Sequence, residues 1–204
     1  MKTRLIATLF AFLIATLPAL AKDWSKVAKQ LAEATIQLQA GIGHKTFCSG
    51  WMIDNKRDYV MTAEHCLGWT AEETFVEGKP YEVLWSDTYL DAAVLRVPGL
   101  DKRELRAQKR AIRVGQEAAF YGFAREWGLY SHFRAGNVSG IGPIDELPGD
   151  WVIIDNSGIG GMSGGPIVDS DGKVISMVQR SDRRLVQLGR SIEKIFGATK
   201  KFWR

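Results

Sequence analysis

Between residues 35 and 190 the chain is a succession of short strand-like runs, and helical periodicity occurs only at its two ends. Turn-forming stretches such as DNKRD (54–58) and EGKP (77–80) separate the runs. The strand-like runs lie at 35–39, 46–53, 58–62, 81–85 and 92–97 in a first series, and at 117–123, 130–136, 151–155, 166–169, 173–178 and 184–189 in a second. Two sets of about six strands predict an all-β fold of two packed six-stranded antiparallel barrels, one over about 35–100 and one over about 114–190.

A short helix is predicted at each end of this β region. The first covers residues 25–34, with Ser25 as its candidate cap and apolar residues on one face. The second covers about residues 191–202, with Ile192, Ile195 and Phe196 on the face that would dock onto the barrels.

Residues 1–21 have the pattern of a secretory signal peptide. Lys2 and Arg4 precede an apolar run that ends near Leu17, and the small residues at 19–21 suggest cleavage after Ala21. An uncleaved membrane anchor is the alternative, but the run is shorter than the roughly 20 residues that span a bilayer, and Pro18 interrupts it. We therefore expect a mature chain of residues 22–204, secreted or periplasmic, without a stable membrane anchor.

The charge of the mature chain gives no sign of a nucleic-acid partner. The full sequence has 27 basic and 23 acidic residues, so removal of Lys2 and Arg4 leaves 27 − 2 = 25 basic residues against 23 acidic ones. The basic stretch at 101–113 has no interleaved aromatic residues, which predicts a solvated surface rather than a nucleic-acid site.

Cys48 and Cys66 are the only cysteines in the sequence. The signal peptide implies an oxidising compartment, which favours a disulfide over two buried free thiols. A disulfide between Cys48 and Cys66 would close the loop between them, which stabilises a fold by about 3 kcal/mol in the chain-entropy model. A zinc site would need more ligands than two cysteines and a nearby histidine, so we expect no metal and no cofactor.

Ser163 lies in the glycine-rich stretch GIGGMSGGP (158–166), and a serine hydroxyl becomes a nucleophile only beside a base. The candidate bases are His44, His65 and His132, of which His65 follows an apolar strand and precedes Cys66. Asp91, just before another apolar strand, is the candidate that would orient the imidazole.

Other arrangements of serine, histidine and aspartate fit this sequence less well. An α/β-hydrolase needs a histidine after its serine, and a subtilisin-type order using Asp54 or Asp58 needs alternating strands and long helices.

Three segments, TAEHC (62–66), DAAVL (91–95) and GGMSGGP (160–166), together resemble the catalytic segments of trypsin-like, chymotrypsin-fold serine proteases. The likeness runs from about Thr35 to the C-terminal helix, so residues 22–204 are interpreted as one protease domain. The compact bacterial branch, which includes HtrA-like proteins, is the most similar, although no PDZ-length segment follows the C-terminal helix in this sequence. Cys48 matches the partner of the cysteine beside the family's histidine.

The resemblance implies a role for each segment. Ser163 would be the nucleophile, His65 the general base and Asp91 the residue that orients it, while the N–H groups of Gly161 and Ser163 would form the oxyanion hole. Ser157 corresponds to the base of the family's substrate pocket, and Arg180 follows the strand that forms a pocket wall. The sequence departs from the family at Glu64, which replaces an alanine, and at Met162, which replaces the aspartate of trypsin-type zymogens.

The expected function is that of a monomeric serine endopeptidase acting on protein or peptide substrates. Two alternatives remain open: a protease-like binding protein without activity, and an esterase that uses the same three residues.

Overall fold

The structure is a computed structural model, and it describes residues 22–41, 45–68, 73–125, 130–145, 147–182 and 186–203. The predicted signal peptide and His44 lie outside the described residues. The β architecture expected from the sequence is confirmed, with two antiparallel sheets and a short helix at each end. Among the described residues no helix is long and apolar enough to cross a membrane.

The first sheet has six strands, in the spatial order β4-β1-β2-β3-β6-β5. Their bounds are β1 Thr35–Ala40, β2 Lys45–Asp54, β3 Tyr59–Thr62, β4 Thr74–Val76, β5 Glu82–Asp87 and β6 Ala92–Arg96. Nine of the ten residues of β2 are buried, because this strand faces the core of its own sheet on one side and contacts the second sheet on the other. The three-residue strand β4 was absent from the sequence-based prediction.

The second sheet has seven strands, one more than predicted, in the order β11-β10-β7-β8-β9-β13-β12. Their bounds are β7 Glu117–Phe123, β8 Ser131–Ile144, β9 Leu147–Ile154, β10 Pro166–Asp169, β11 Val174–Met177, β12 Arg180–Asp182 and β13 Val186–Gly189. The additional strand is β12, whose three polar residues pair with β13.

Both sheets curl back on themselves. Only Val178 and Gln179 connect β11 to β12, although these strands are at opposite ends of the second sheet. Such a connection reaches at most about 11 Å, whereas seven flat strands would span about 29 Å. In the first sheet, β4 and β5 are also at opposite ends and are joined by residues 77–81, which include the tight turn bridging Val76 to Lys79. The curvature gives each sheet a barrel-like form.

The helices close the two ends of this fold. Helix α1 (Ser25–Ala34) buries Val27, Leu31 and Ala34. Its N-cap is Trp24, so the prediction of Ser25 as the cap was wrong; instead the Ser25 N–H donates to Oδ1 of Asp23 at 2.8 Å. Helix α2 (Ile192–Thr199) is followed by a 3₁₀ turn at Lys200–Phe202. Its buried residues include Ile192 and Ile195, and Phe196 is partly buried against Trp203.

A large hydrophobic cluster draws its residues from both sheets and both helices and so joins the two barrels. A second cluster lies inside the second barrel and contains the fully buried Met162. The apolar side chain of Met162 therefore anchors the segment beside Ser163 in a core.

Candidate active site

His65 and Asp91 are brought together by two neighbouring strands. His65 lies in a 3₁₀ turn (Glu64–Cys66) just after β3, and Asp91 immediately precedes β6, which pairs with β3. Nδ1 of His65 is 2.9 Å from Oδ2 of Asp91, and the His65 backbone N–H donates to Oδ1 at 3.0 Å. The His65 side chain is 35% exposed and that of Asp91 18%. The carboxylate thus holds both the ring and the backbone of His65, while part of the ring stays accessible.

Asp91 has a left-handed backbone conformation, with φ of +47°. Residues with side chains avoid this region, and Asp and Asn tolerate it better than most. The conformation ends the turn that follows β5 and directs the carboxylate towards His65. It also means that neighbouring groups must hold this turn in place.

The segment around Ser163 is a tight turn between Ile159 and Gly165. The Met162 N–H donates to the Ile159 carbonyl at 3.1 Å, and the Gly165 N–H donates to the Met162 carbonyl at 2.9 Å. Gly164 has φ of +83°, and a Cβ there would lie 2.1 Å from the Ser49 carbonyl oxygen. Only glycine fits so close to the first barrel, which accounts for part of the glycine-rich sequence.

Ser49, on β2, fastens this turn to the first barrel. Its backbone N–H donates to the Ser163 carbonyl at 2.7 Å, and its hydroxyl donates to the Gly161 carbonyl at 2.8 Å. The same hydroxyl oxygen accepts from the Phe123 N–H at 2.9 Å. Ser49 is fully buried, and sequence reasoning missed it. The sequence pattern that could have identified it is a serine within a strand-like run whose other residues are mostly apolar.

We expect Ser49→Ala to lower the free energy of unfolding by about 1–3 kcal/mol, because it leaves the Phe123 N–H and the Gly161 carbonyl buried without a partner. Urea denaturation would measure this loss. Ser139→Ala is a matched control, since that serine is exposed and has a single 3.3 Å bond to the Ile153 carbonyl. Equal stability of the two variants would contradict the role given to Ser49.

The N–H groups of Gly161 and Ser163 donate no hydrogen bond to any residue that the structure describes. The peptide between Gly160 and Gly161 is fixed from one side, because the Arg125 N–H donates to the Gly160 carbonyl at 2.7 Å. In a trans peptide the N–H points away from the preceding carbonyl. The Gly161 N–H is therefore held on the side opposite Arg125, where it can donate a hydrogen bond to a new partner.

The Ser163 hydroxyl and His65 form no hydrogen bond in this structure, although both residues are described. Their segments nevertheless touch, since the Ser163 carbonyl oxygen is 3.8 Å from Sγ of Cys66, the residue after His65. Hydrogen bonds between a nucleophile and its base are often long in ligand-free enzymes and shorten when substrate binds.

A disulfide joins Cys48 on β2 to Cys66 in the turn that carries His65. Ligand atoms of Cys48, Cys66 and His65 lie within 4.8 Å of one another. A metal would require the two sulfurs as thiolates, and the disulfide removes them, so this cluster does not fit a metal. The bond instead ties the His65 turn to the strand that contains Ser49.

We expect the double variant Cys48→Ala, Cys66→Ala to lose about 3 kcal/mol of unfolding free energy, because the disulfide closes a loop with a sequence separation of 18. Thermal or urea unfolding of the oxidised native protein and of the cysteine-free variant would measure the difference. Alkylation without reductant should leave the mass of the native protein unchanged. Two alkylated cysteines in protein from its native compartment would contradict the pairing.

A pocket of about 450 Å³ opens next to Ser163. Ser157 and Arg180 both line it, together with Gly158, Ile159, Gly160, Val178, Gln179, Ser181 and Gln187. Gln179 and Gln187 are buried and were not singled out from the sequence. Each follows or interrupts an apolar strand-like run, and this pattern indicates a buried polar side chain with a specific partner. Glu64 is partly exposed in the His65 turn, and His132 lies on β8.

Comparison with known proteins gives the family. Residues 48–177, more than half of the chain, match the family model described as trypsin-like peptidase domain. The chain belongs to the trypsin-like peptidase family. The matched range contains the three segments of the trypsin-like peptidase that carry His65, Asp91 and Ser163.

Three solved structures have a similar fold. The inactive form of Rv3671c from M. tuberculosis, a serine-to-alanine mutant, is 19% identical, with a TM-score of 0.70 over 91% of this chain and 96% of that one. The HtrA-type protease AlgW, solved with a decapeptide, is 14% identical, with a TM-score of 0.72 over 88% of this chain and 66% of its own. Deg5 is 20% identical, with a TM-score of 0.67 over 84% and 90% of the two chains.

Proposed function

We propose that this trypsin-like peptidase is a serine endopeptidase that hydrolyses peptide bonds through an acyl-enzyme, with Ser163, His65 and Asp91 as its catalytic residues. The observation that supports this most strongly is the 2.9 Å contact between Nδ1 of His65 and Asp91, placed beside the turn that carries Ser163. A histidine held by a carboxylate at one ring nitrogen keeps the other available as a base.

In this mechanism Oγ of Ser163 attacks the scissile carbonyl carbon while Nε2 of His65 takes the hydroxyl proton. Asp91 accepts a hydrogen bond from Nδ1–H, holds the productive tautomer and stabilises the imidazolium that forms. The N–H groups of Gly161 and Ser163 bind the oxyanion. His65 then gives its proton to the leaving amine, and a water molecule, activated by the same histidine, releases the acyl group.

We propose a secreted or periplasmic location and a monomeric state. The location follows from the signal-peptide pattern of residues 1–21 and agrees with a disulfide between Cys48 and Cys66. Cleavage after Ala21 is tested by N-terminal sequencing of the exported protein, and the monomer by its mass in solution.

A comparison of substrates tests the proposed reaction. Turnover of a casein-type protein supports the endopeptidase, whereas turnover of a simple ester without protein cleavage supports an esterase. Absence of both activities, in protein that binds peptides, supports a binding module.

The pocket beside Ser163 predicts little cleavage after Arg or Lys. None of the described residues that line it is acidic, and Arg180 adds a positive charge at its wall. A buried cationic side chain would therefore lack a partner, and we expect kcat/KM for Arg or Lys to be about 100-fold below that for the best uncharged residue. Small or medium uncharged side chains should be preferred.

Profiling of cleavage sites on a mixed peptide library measures this preference. Ser157→Asp is the matched variant, since it places a carboxylate in the pocket and should increase cleavage after Arg or Lys. Dominant cleavage after Arg or Lys by the unmodified protein would contradict the prediction.

A further inference from the structure

The turn that presents Asp91 is held by side chains of the second barrel, although Asp91 belongs to the first. Three successive backbone carbonyls of this turn, those of Tyr89, Leu90 and Asp91, all accept hydrogen bonds from Gln179 or Arg190. Neither residue takes part in the proton transfers described above, and Gln179 also lines the pocket beside Ser163.

Gln179, which follows β11, makes the shortest of these contacts. Its Nε2 donates to the Leu90 carbonyl at 2.6 Å and to the Asp91 carbonyl at 2.7 Å. Its Oε1 accepts from the backbone N–H of Arg190 at 2.6 Å, which fixes the orientation of the amide. Gln179 is only 4% exposed, and both polar atoms of its side chain have hydrogen-bond partners.

Arg190, which follows β13, is a buried cation with 2% exposure. Its Nη2 donates to the Tyr89 carbonyl and its Nη1 to the Asp150 carbonyl, both at 3.2 Å. The guanidinium carbon lies 4.3 Å from the Trp151 ring centroid and 5.1 Å from that of Tyr89. Gly149 makes room for it, since a Cβ there would be 2.4 Å from Nη1.

A buried charge of this kind is costly. No carboxylate oxygen lies within 4.0 Å of the Arg190 side chain in the described part of the chain, and its Nε has no hydrogen-bond partner there. Burial lowers the pKa of Arg190, and nearby Tyr89, Asp150 and Asp91 oppose this effect. Arginine nevertheless stays charged in proteins. Replacement of buried charged groups by well-packed apolar residues is often neutral or stabilising, so stability alone is a weak explanation for this cation.

We propose that Gln179 and Arg190 are positioning residues that act from the second barrel to hold the Asp91 carboxylate against Nδ1 of His65. The inference rests on the proposed function, and it gives the strained backbone of Asp91 its support. Because Ser163 and the substrate pocket also belong to the second barrel, the pair links the two halves of the site. A shift of the Asp91 turn would misplace the imidazole relative to Ser163.

The test is the rate at which a small alkyl fluorophosphonate labels Ser163, which reads the reactivity of the serine without relying on the specificity pocket. Gln179→Met keeps the side-chain volume but removes the donor, and we expect labelling to slow by about 10- to 100-fold. Arg190→Lys retains the charge but has a single donor nitrogen in place of the two that reach Asp150 and Tyr89, and should slow labelling by about three- to tenfold, less than Arg190→Met. Lys194→Met is the matched control, since Lys194 binds Asp150 from the surface at 2.7 Å and should leave the rate within about twofold.

A second readout separates positioning from general disruption. The short contact between Nδ1 of His65 and Asp91 should give its bridging proton a far-downfield NMR signal, and we expect this signal to shift or broaden in Gln179→Met but not in Lys194→Met. Wild-type labelling and an unchanged signal in folded Gln179→Met would overturn the inference. If Gln179→Met does not fold, wild-type labelling and an unchanged signal in Arg190→Lys would overturn the inference. Failure of the wild-type protein to react at all would instead contradict the proposed function.

Discussion

Ser163→Ala should lower kcat for peptide hydrolysis by about five to six orders of magnitude, because the acyl-enzyme cannot form without the hydroxyl. The fold should be unaffected. The hydrogen bonds between the Ser163 turn and Ser49 of the first barrel are accepted by the backbone carbonyls of Ser163 and Gly161, which the alanine variant keeps. We expect the free energy of unfolding to change by less than about 0.5 kcal/mol.

Steady-state hydrolysis of a peptide found by library profiling measures this loss, and urea denaturation checks the fold. Ser139→Ala, an exposed serine on β8, should retain full activity as the matched control. Substantial cleavage by purified Ser163→Ala would mean that another residue is the nucleophile.

Asp91→Asn should lower kcat by about 10⁴-fold. Asparagine tolerates the left-handed backbone at φ of +47° and is close to aspartate in shape, so the turn should survive. Its amide can donate to Nδ1, however, and would then stabilise the tautomer that leaves Nε2 protonated and unable to act as a base. The negative charge that stabilises the imidazolium is lost as well.

Measurement of kcat and KM for Asp91→Asn distinguishes this account from a structural role. KM should change by less than about tenfold, because Asp91 does not line the substrate pocket. Activity within tenfold of the unmodified protein would show that His65 does not depend on Asp91.

The sequence was sufficient to predict which residues at the ends of strands are the candidate catalytic residues. His65 and Asp91 each adjoin a short apolar strand, and Ser163 lies among glycines whose positive φ values and close contacts leave little room for other residues. These are local patterns of residue type, which a single sequence displays directly.

What the sequence did not reveal depends on contacts between distant segments. Strand β12 (Arg180–Asp182) is polar and becomes a strand only through pairing with β13. Strand β8 extends to Ile144, well beyond the predicted residue 136, because glycines and a proline obscure its pattern.

The polar residues that support the site were missed for the same reason. Ser49, Gln179 and Arg190 acquire their roles from partners 74 to 112 residues away in the chain, such as Gly161 for Ser49 and Leu90 for Gln179. A pattern of neighbouring residues carries no information about such partners, although a polar residue within an apolar strand does indicate that one exists.

The central claim is that Ser163 is an activated nucleophile, and covalent labelling tests it most directly. Native protein treated with a fluorophosphonate is digested, and the modified residue is located by mass spectrometry. We expect a single adduct on Ser163, absent from Ser163→Ala and strongly reduced in Asp91→Asn. An adduct on another residue, or no adduct on folded protein with its disulfide intact, would contradict the account.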